Sequence, residues 1–308
     1  MKTVLITGAR GFVGSALVQY FIEYTDYTIY YTKRPPKDDD RLNKIDLKDR
    51  VHVWEQQGID IILHTAGNAS SLKCIEDPES AIRDNILETF KVLEIARKHD
   101  IEHLIYFSSV EVYGKNGTCL EESSRESKNM YAATKCAGEE MCRAYHSSYG
   151  VPCSIVRVNN TFGKMCQEER FPVLVIKKLL NKEPIFLHSI NGEVVGRRWL
   201  SIHDVADMVY FILNQPPGRV YNTTGDYITN LDLVNYISKA MNIQNVSYRV
   251  IEENIPGRMG NQDAPPDFIR SLGWVPKYTF EERIQEFVDY FQPSFFLGGT
   301  GTNISSSK

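Results

Sequence analysis

The chain has 308 residues, of which 42% are hydrophobic and 24% are charged, and its formal net charge is −4. This composition is ordinary for a globular protein with one large domain or two lobes that share a core, and the charge offers no basic surface for nucleic acid or an anionic membrane. No apolar run approaches the roughly 20 residues that a membrane span requires, and no apolar signal core precedes the first predicted strand, so we expect a cytoplasmic protein that binds small molecules or copies of itself.

The six cysteines are scattered along the chain, at positions 74, 119, 136, 142, 153 and 166. Their spacing indicates neither a zinc site nor a disulfide framework. We therefore expect reduced thiols and no metal site.

Apolar strand patterns alternate with amphipathic helix patterns along the first half of the chain. Strands are predicted at 3–7, 27–32, 60–65, 103–108 and 153–158, and helices at 12–24, 78–98 and 130–148. After residue 160 the rhythm changes, and the pattern predicts helices at 171–180 and 204–214 and short strands at 197–200 and 220–222. Helices of this length can connect parallel neighbouring strands, so the order of elements indicates an α/β fold with a doubly wound parallel sheet.

A glycine-rich loop directly follows the first predicted strand. Gly8 permits a tight turn, Gly11 presents no Cβ to a pyrophosphate, and Gly14 lets the following helix pack closely on the strand. The amides at a helix N-terminus attract phosphate. The sequence therefore predicts a dinucleotide site formed by Gly8, Arg10, Gly11, Phe12, Val13 and Gly14.

The end of the second predicted strand bears on the choice of dinucleotide. An acidic residue there binds the ribose hydroxyls of NAD, whereas a basic residue suits the phosphate of NADP. Here the strand ends in Thr32, Lys33 and Arg34, and Arg10 adds a cation inside the glycine loop. We favour NADP over NAD on this basis, although ordinary exposed charges would look the same.

The predicted elements and the glycine loop together indicate a Rossmann-like sheet with a smaller C-terminal substrate-binding lobe. Residues 1–163 would form the dinucleotide-binding lobe, completed by about 200–224. Residues 164–199 and 225–293 would form the second lobe. The segment 294–308 is rich in Gly, Ser and Thr, which predicts a flexible tail.

Tyr131 and Lys135 lie four residues apart on a predicted helix, so their side chains share one face. A neighbouring ammonium favours the phenolate, and we expect it to lower the tyrosine pKa toward neutrality, where the group can act as acid or base. Taken alone, Tyr131 and Lys135 could be an ordinary solvated pair on the surface of the helix. Ser109, however, directly follows the strand predicted at 103–108, and the carboxyl ends of strands in an open sheet face the ligand crevice. Ser109 is thus placed to hydrogen-bond a substrate oxygen, although a serine at a strand end can also simply cap a turn.

At these residues the chain resembles the extended short-chain dehydrogenases/reductases, in particular the nucleotide-sugar epimerase/dehydratase family. The resemblance covers nearly the whole chain. The matching positions are Thr7-Gly8-x-x-Gly11-x-x-Gly14, Asp46-Leu47, His64-Thr65-Ala66-Gly67, Asn85, Ser108-Ser109-x-x-Val112-Tyr113-Gly114, Tyr131-x-x-x-Lys135, Arg157 to Gly163, Arg197-Arg198-Trp199 and Leu272-Gly273-Trp274-x-Pro276.

The resemblance implies a role for each matching residue. Tyr131 would exchange the sugar hydroxyl proton, Lys135 would hold the nicotinamide ribose, and Ser109 would orient the oxygen. The other implied cofactor contacts are Asp46, at the adenine end, and Leu47, Ala66 and Gly67. The implied contacts to a nucleotide-diphosphate sugar are Asn160, Arg197 and Arg258. For Arg258 a solvated loop position is an equal alternative. The resemblance also implies a homodimer through the helices near 80–98 and 130–148.

The type of reaction is less determined. Relatives that are 4,6-dehydratases carry Thr-Asp-Glu or Thr-Ser-Glu where this chain has Ser109-Val110-Glu111; Glu111 matches, but Val110 cannot donate a proton. A 4-ketoreductase or 4-epimerase needs only the Ser-Tyr-Lys set. We therefore rank these two activities above a 4,6-dehydratase, in which Glu111 would take the C5 proton. A non-catalytic NADP-binding scaffold or redox sensor is the alternative from another class.

Overall fold

A seven-stranded sheet forms the centre of the computed structural model, which describes residues 1–32, 51–223, 225–252, 257 and 260–297. All neighbouring strands in this sheet are parallel. From one edge to the other they are β12 (Val220–Asn222), β7 (Cys153–Val158), β5 (His103–Ser109), β4 (Ile61–His64), β1 (Thr3–Thr7), β2 (Thr28–Tyr31) and β3 (Val51–Val53). The order reverses between β1 and β4, which is where ligands bind in open parallel sheets.

Helices cover both faces of this sheet. The α-helices are α1 (Phe12–Tyr24), α2 (Ser71–Glu76), α3 (Pro78–Ile82), α4 (Glu88–His99), α5 (Met130–Tyr149), α6 (Phe171–Leu180), α7 (Ile202–Ile212), α8 (Asn230–Ala240), α9 (Asp267–Ser271) and α10 (Phe280–Leu297). A π-helical turn, Arg83–Leu87, separates α3 from α4, and a 3-10 turn, Val110–Tyr113, follows β5.

The alternation of side chains along β1 shows how the two faces are filled. Val4 and Ile6 belong to a core cluster with residues of α1 and α7, whereas Leu5 belongs to a second cluster with residues of α4 and α5. All three side chains are fully buried. A strand buried on both faces is apolar at every position, as the sequence predicts for this segment.

Short strands after β7 build the second part of the molecule. One small sheet contains β8 (Asn160–Phe162), β11 (Gly196–Ser201) and β13 (Asp226–Thr229). A second contains β9 (Ile185–Ile190), β10 (Glu193–Val194) and β14 (Tyr248–Glu252). A third pairs β6 (Gly117–Thr118) with β15 (Gln262–Asp263).

The predicted fold class is confirmed: the sheet is parallel, Rossmann-like and flanked by helices. The predicted helix at 78–98 is divided into α3, the π-helical turn and α4. The last helix reaches Leu297, so residues 294–297 of the predicted tail are helical, and 298–308 lie outside the described residues. In the described part of the chain, no helix is both long and apolar enough to cross a membrane.

Candidate active site

The glycine loop joins β1 to α1 in the geometry that a dinucleotide requires. Gly8 has φ +71°, and its carbonyl oxygen accepts a hydrogen bond of 2.8 Å from the Gly11 amide. A Cβ on Gly14 would run into that same carbonyl. Helix α1 has no acidic residue in its first turn, so its N-terminal amides face no competing carboxylate. These features fit a bound pyrophosphate.

The loop after β4 lies beside the glycine loop. A Cβ on Gly8 would come within 2.7 Å of the Ala66 amide nitrogen, so only glycine fits this approach. Gly67 has φ +151°, and the next residue, Asn68, donates its amide to the buried Asn85 Oδ1 at 2.7 Å. Asn85 in turn donates to Thr134 Oγ1 at 2.9 Å, which ties this loop to α5.

Helix α5 and strand β5 place the predicted catalytic residues together. Tyr131 is 8% exposed, Ser109 is 7% exposed and Lys135 is 6% exposed, and all three line one cleft of about 580 Å³. Ser109 Oγ accepts a hydrogen bond of 3.2 Å from the Glu111 amide, so the serine also caps the turn that follows β5. Lys135 Nζ donates to the backbone oxygen of Phe107 at 2.9 Å.

The ionisation of Tyr131 differs from the prediction. Burial raises the pKa of the Tyr131 hydroxyl, and the Glu111 carboxylate raises it further, whereas the nearby Ser109 hydroxyl and the charge of Arg170 lower it. The net pKa is raised, so the predicted lowering is wrong for this structure. The reason is that burial dominates, while the Lys135 ammonium is directed toward the Phe107 carbonyl. Burial also lowers the pKa of Lys135 to about 8.

Glu111 lies in the same cleft, on the 3-10 turn that follows Ser109. Its Oε2 accepts a hydrogen bond of 3.1 Å from Asn129 Nδ2. Asn129 also caps α5 by accepting from the Ala132 amide at 2.9 Å, and it donates to the Gly257 carbonyl at 3.1 Å. Asn129 was missed at the sequence level, although an Asn directly before an amphipathic helix is a recognised capping signal. Val110, beside Glu111, is buried and apolar.

The cleft extends from the predicted catalytic residues toward the small sheets. Its lining includes Val13, Ser109, Glu111, Tyr131, Asn160 and Arg197, and thus joins the predicted cofactor, catalytic and substrate residues. Arg170 also lines it and was not predicted; it precedes α6, and no sequence motif distinguishes it from an ordinary exposed arginine.

Several predicted site residues cannot be placed. Lys33, Arg34, Asp46, Leu47 and Arg258 lie outside the described residues. Arg10 is described, and its guanidinium carbon lies 5.9 Å from the ring centre of Tyr31, the last residue of β2. Within the described ranges, no group of three or more His, Cys, Asp or Glu side chains is placed to hold a metal.

A family model supports the same assignment as this geometry. The model of the NAD dependent epimerase/dehydratase family matches residues 4–223, which is more than half of the chain. The chain belongs to this family. It is therefore an enzyme of the extended short-chain dehydrogenase/reductase type, and the alternative of a non-catalytic scaffold is not favoured.

Curated members of the epimerase/dehydratase family align over almost the full chain. A dTDP-glucose 4,6-dehydratase of Haemophilus influenzae is 25% identical, and the alignment covers 94% of this chain and 98% of that protein. The low-salt glycan biosynthesis protein Agl12 of Haloferax volcanii is 26% identical, again with 94% and 98% covered.

Solved structures of family members share the fold. The UDP-glucuronic acid 4-epimerase of Bacillus cereus, in complex with UDP-glucuronic acid and NAD, superposes with a TM-score of 0.85 at 20% identity and covers 95% of this chain and 99% of its own. The dTDP-glucose 4,6-dehydratase DesIV of Streptomyces venezuelae, with NAD and TYD bound, has a TM-score of 0.84 at 22% identity and covers 96% and 98%.

Proposed function

We propose that this chain is an NAD(P)-dependent nucleotide-sugar enzyme that transfers hydride at C4 of the sugar, as a 4-epimerase or a 4-ketoreductase. The observation that carries the proposal is the cleft in which Ser109, Tyr131 and Lys135 meet beside Val13 of the glycine loop. This set supplies acid–base chemistry next to a dinucleotide site. The similar structures that contain NAD together with a UDP-sugar or TYD support this substrate class.

Each catalytic residue has a defined task in this proposal. A bound nicotinamide supplies the hydride acceptor, or in its reduced form the donor, for C4. Tyr131 takes the proton of the C4 hydroxyl when the sugar is oxidised and returns a proton when the ketone is reduced. Ser109 donates a hydrogen bond to that oxygen, and Lys135 holds the nicotinamide ribose.

The second lobe would bind the nucleotide-diphosphate part of the substrate. Asn160 and Arg197 line the cleft on the side of the small sheets, and Arg258 is proposed beside them. A guanidinium fork matches two phosphate oxygens, so Arg197 is the main phosphate contact in this proposal.

NADP is the preferred cofactor in this proposal, and NAD is the alternative. The Arg10 guanidinium, on the glycine loop, lies beside Tyr31 at the end of β2, which is where the adenosine ribose binds in this fold. Lys33 and Arg34 follow in the sequence. The similar structures contain NAD, so a direct comparison of the two cofactors decides this point.

A 4,6-dehydratase is the second candidate, and Glu111 is the observation that favours it. Its carboxylate acts on Tyr131 through space and lines the cleft, so it could remove the C5 proton. The buried Val110 cannot protonate the departing C6 hydroxyl, which is why we place this reaction second. The names of several curated relatives point to the same activity.

The test is turnover of a panel of UDP- and dTDP-sugars in D₂O with each of the four oxidised and reduced cofactors, followed by NMR. An epimerase interconverts C4 epimers without deuterium at C5, and a ketoreductase consumes reduced cofactor with a 4-keto sugar. A dehydratase produces a C6 methyl group with deuterium at C5. Equal turnover by wild type and Tyr131→Phe, or no turnover of any sugar, would reject the proposal.

A further inference from the structure

A buried ion pair lies directly behind the catalytic residues. Glu139 is on α5, four residues after Lys135 and eight after Tyr131, so the three side chains share one face of the helix. Its carboxylate accepts hydrogen bonds from Arg157 Nε at 2.9 Å and from Arg157 Nη2 at 2.7 Å. Glu139 is fully buried and Arg157 is 1% exposed. Charges this deep in a protein persist only when they are paired and hydrogen-bonded.

The pair is bonded to the strand that carries Ser109. Ser108 Oγ donates to Glu139 Oε1 at 2.7 Å. Ser108 is adjacent to Ser109 and its side chain points to the opposite face of β5. The bond therefore fixes the end of β5 against α5 from behind the catalytic serine.

The pair is also bonded to the turn that carries Glu111. Arg157 Nη1 donates to the Tyr113 hydroxyl at 2.9 Å, and the guanidinium lies 4.8 Å from the Tyr113 ring centre. Tyr113 ends the 3-10 turn, and its hydroxyl donates to Asn222 Oδ1 of β12 at 2.7 Å. One buried pair thus joins the catalytic helix, the strand end and the turn.

We propose that Glu139 and Arg157 are positioning residues for the reaction, which set the relative placement of Ser109, Tyr131 and Lys135 by holding α5 against β5. The inference rests on the proposed function, because it assigns the pair to that catalytic set. A displacement of about 1 Å between reacting groups can cost roughly 10²-fold in rate.

The pair also acts electrostatically on Lys135. The titratable groups that face Lys135 are Cys74 on α2, Cys142 and Glu139 on α5, and Tyr106 on β5. Burial lowers the pKa of Lys135 to about 8, and the negative charge of Glu139 opposes this effect. Removal of the Glu139 charge leaves the cations of its three ion-pair partners, Arg157, Arg125 and Arg143, and moves the Lys135 pKa further down.

The test compares Glu139→Gln with the matched control Glu140→Gln. Glu140 is the next residue of α5, its side chain is 56% exposed, and it pairs with Arg143. We expect Glu139→Gln to lose roughly 10²-fold in kcat while KM and cofactor Kd change by less than about threefold. The Lys135 pKa, read from the NMR titration of its Cε resonance, falls in Glu139→Gln and is unchanged in Glu140→Gln. A folded Glu139→Gln with wild-type kcat and wild-type Lys135 pKa would overturn the inference.

A second variant covers failure of Glu139→Gln to fold. The double variant Glu139→Met/Arg157→Met replaces the buried pair by apolar side chains, which buried pairs often tolerate. A folded double variant with reduced kcat supports positioning, and one with wild-type kcat excludes it. If the wild type turns over no nucleotide sugar, the proposed function fails. The positioning inference is then tested without turnover, by the Lys135 pKa and by amide exchange of residues 130–136 in the variants. If both are unchanged from wild type, the positioning inference is overturned as well.

Discussion

Lys135 Nζ donates a hydrogen bond to the Phe107 carbonyl at 2.9 Å. Phe107 lies two residues before Ser109 on β5, so this bond ties the ammonium of α5 to the strand that carries Ser109. Burial lowers the pKa of Lys135 from 10.5 to about 8. The side chain therefore titrates over a pH range in which an exposed lysine stays charged.

The lowered pKa of Lys135 predicts how stability depends on pH. Between pH 8 and 10.5 the unfolded chain binds more protons at this position than the folded chain, so its contribution to stability rises with pH in that window. Below pH 8 the full cost of the buried charge is present. We expect Lys135→Met to be most stabilised relative to wild type below pH 8, and the difference to shrink toward pH 10.5. Urea unfolding at both ends of the window measures the free energy of unfolding of variant and wild type, and Lys98→Met, at an exposed lysine, is the control. If the difference between Lys135→Met and wild type is the same at both pH values, the lowered pKa of Lys135 is contradicted.

Tyr131→Phe removes the hydroxyl that we propose transfers the proton, and it leaves the ring in place. General acid–base catalysis contributes roughly 10²–10⁴-fold, so we expect kcat to fall by that factor, with little change in cofactor affinity. Steady-state kinetics and cofactor titration measure the two effects. Tyr149→Phe is the control, because Tyr149 ends the same helix and is 60% exposed. Retained kcat in Tyr131→Phe would show that another group moves the proton.

The sequence alone predicts the parts of the site that depend on local spacing. The glycine loop lies between β1 and α1 as predicted, and Tyr131 and Lys135 share one helix face because they are four residues apart. The sign of the Tyr131 pKa shift could not be predicted, since the neighbouring charge is visible in the sequence but the burial that outweighs it is not. Arg157 pairs with Glu139 across 18 positions, a contact that only the fold creates.

The second part of the chain is less predictable for a different reason. Strand β14 is exposed at all five positions, so it lacks the apolar alternation that identifies a half-buried strand. The π-helical turn at Arg83–Leu87 likewise has no signal, because its flanking helices continue the same amphipathic pattern. Local sequence specifies strands β1, β4 and β5 well because they are buried on both faces.

Glu111→Gln separates the two candidate reactions. For a C4 epimerase or ketoreductase we expect turnover to survive. Because the Glu111 carboxylate raises the pKa of Tyr131, we also expect the limb of the kcat profile that reports Tyr131 to move to lower pH. This is the acid limb when Tyr131 accepts the proton and the basic limb when it donates the proton. For a dehydratase we expect deuterium exchange at C5 to fall by roughly 10²-fold or more, as loss of a general base does. NMR in D₂O and a pH series make both measurements. If the limb that reports Tyr131 does not move, the electrostatic coupling of Glu111 to Tyr131 is contradicted.

Gly14→Ala tests the dinucleotide loop. The added Cβ would collide with the Gly8 carbonyl, so α1 must shift away from the loop. We expect cofactor affinity to fall by more than tenfold and stability by about 1–3 kcal/mol, as other overpacked sites show. Gly58→Ala is the matched control, because a Cβ there meets nothing within 4 Å. Calorimetric titration of the cofactor and thermal unfolding provide the readouts; wild-type affinity in Gly14→Ala would argue against a pyrophosphate at this loop.

The helices near residues 80–98 carry an exposed apolar surface that predicts a homodimer. Ile82 is 42% exposed, Leu87 is 49% exposed and Phe90 is 47% exposed, which is unusual for large apolar side chains this close in sequence. If a second copy covers this surface, Phe90→Glu places an unpaired charge in the interface and shifts the protein to its monomer mass of 35.2 kDa. Val275→Glu is the control, because Val275 is 62% exposed and lies elsewhere. Sedimentation velocity at micromolar concentration decides the matter: a monomeric wild type, or a Phe90→Glu variant that still dimerises, would exclude this surface as the interface.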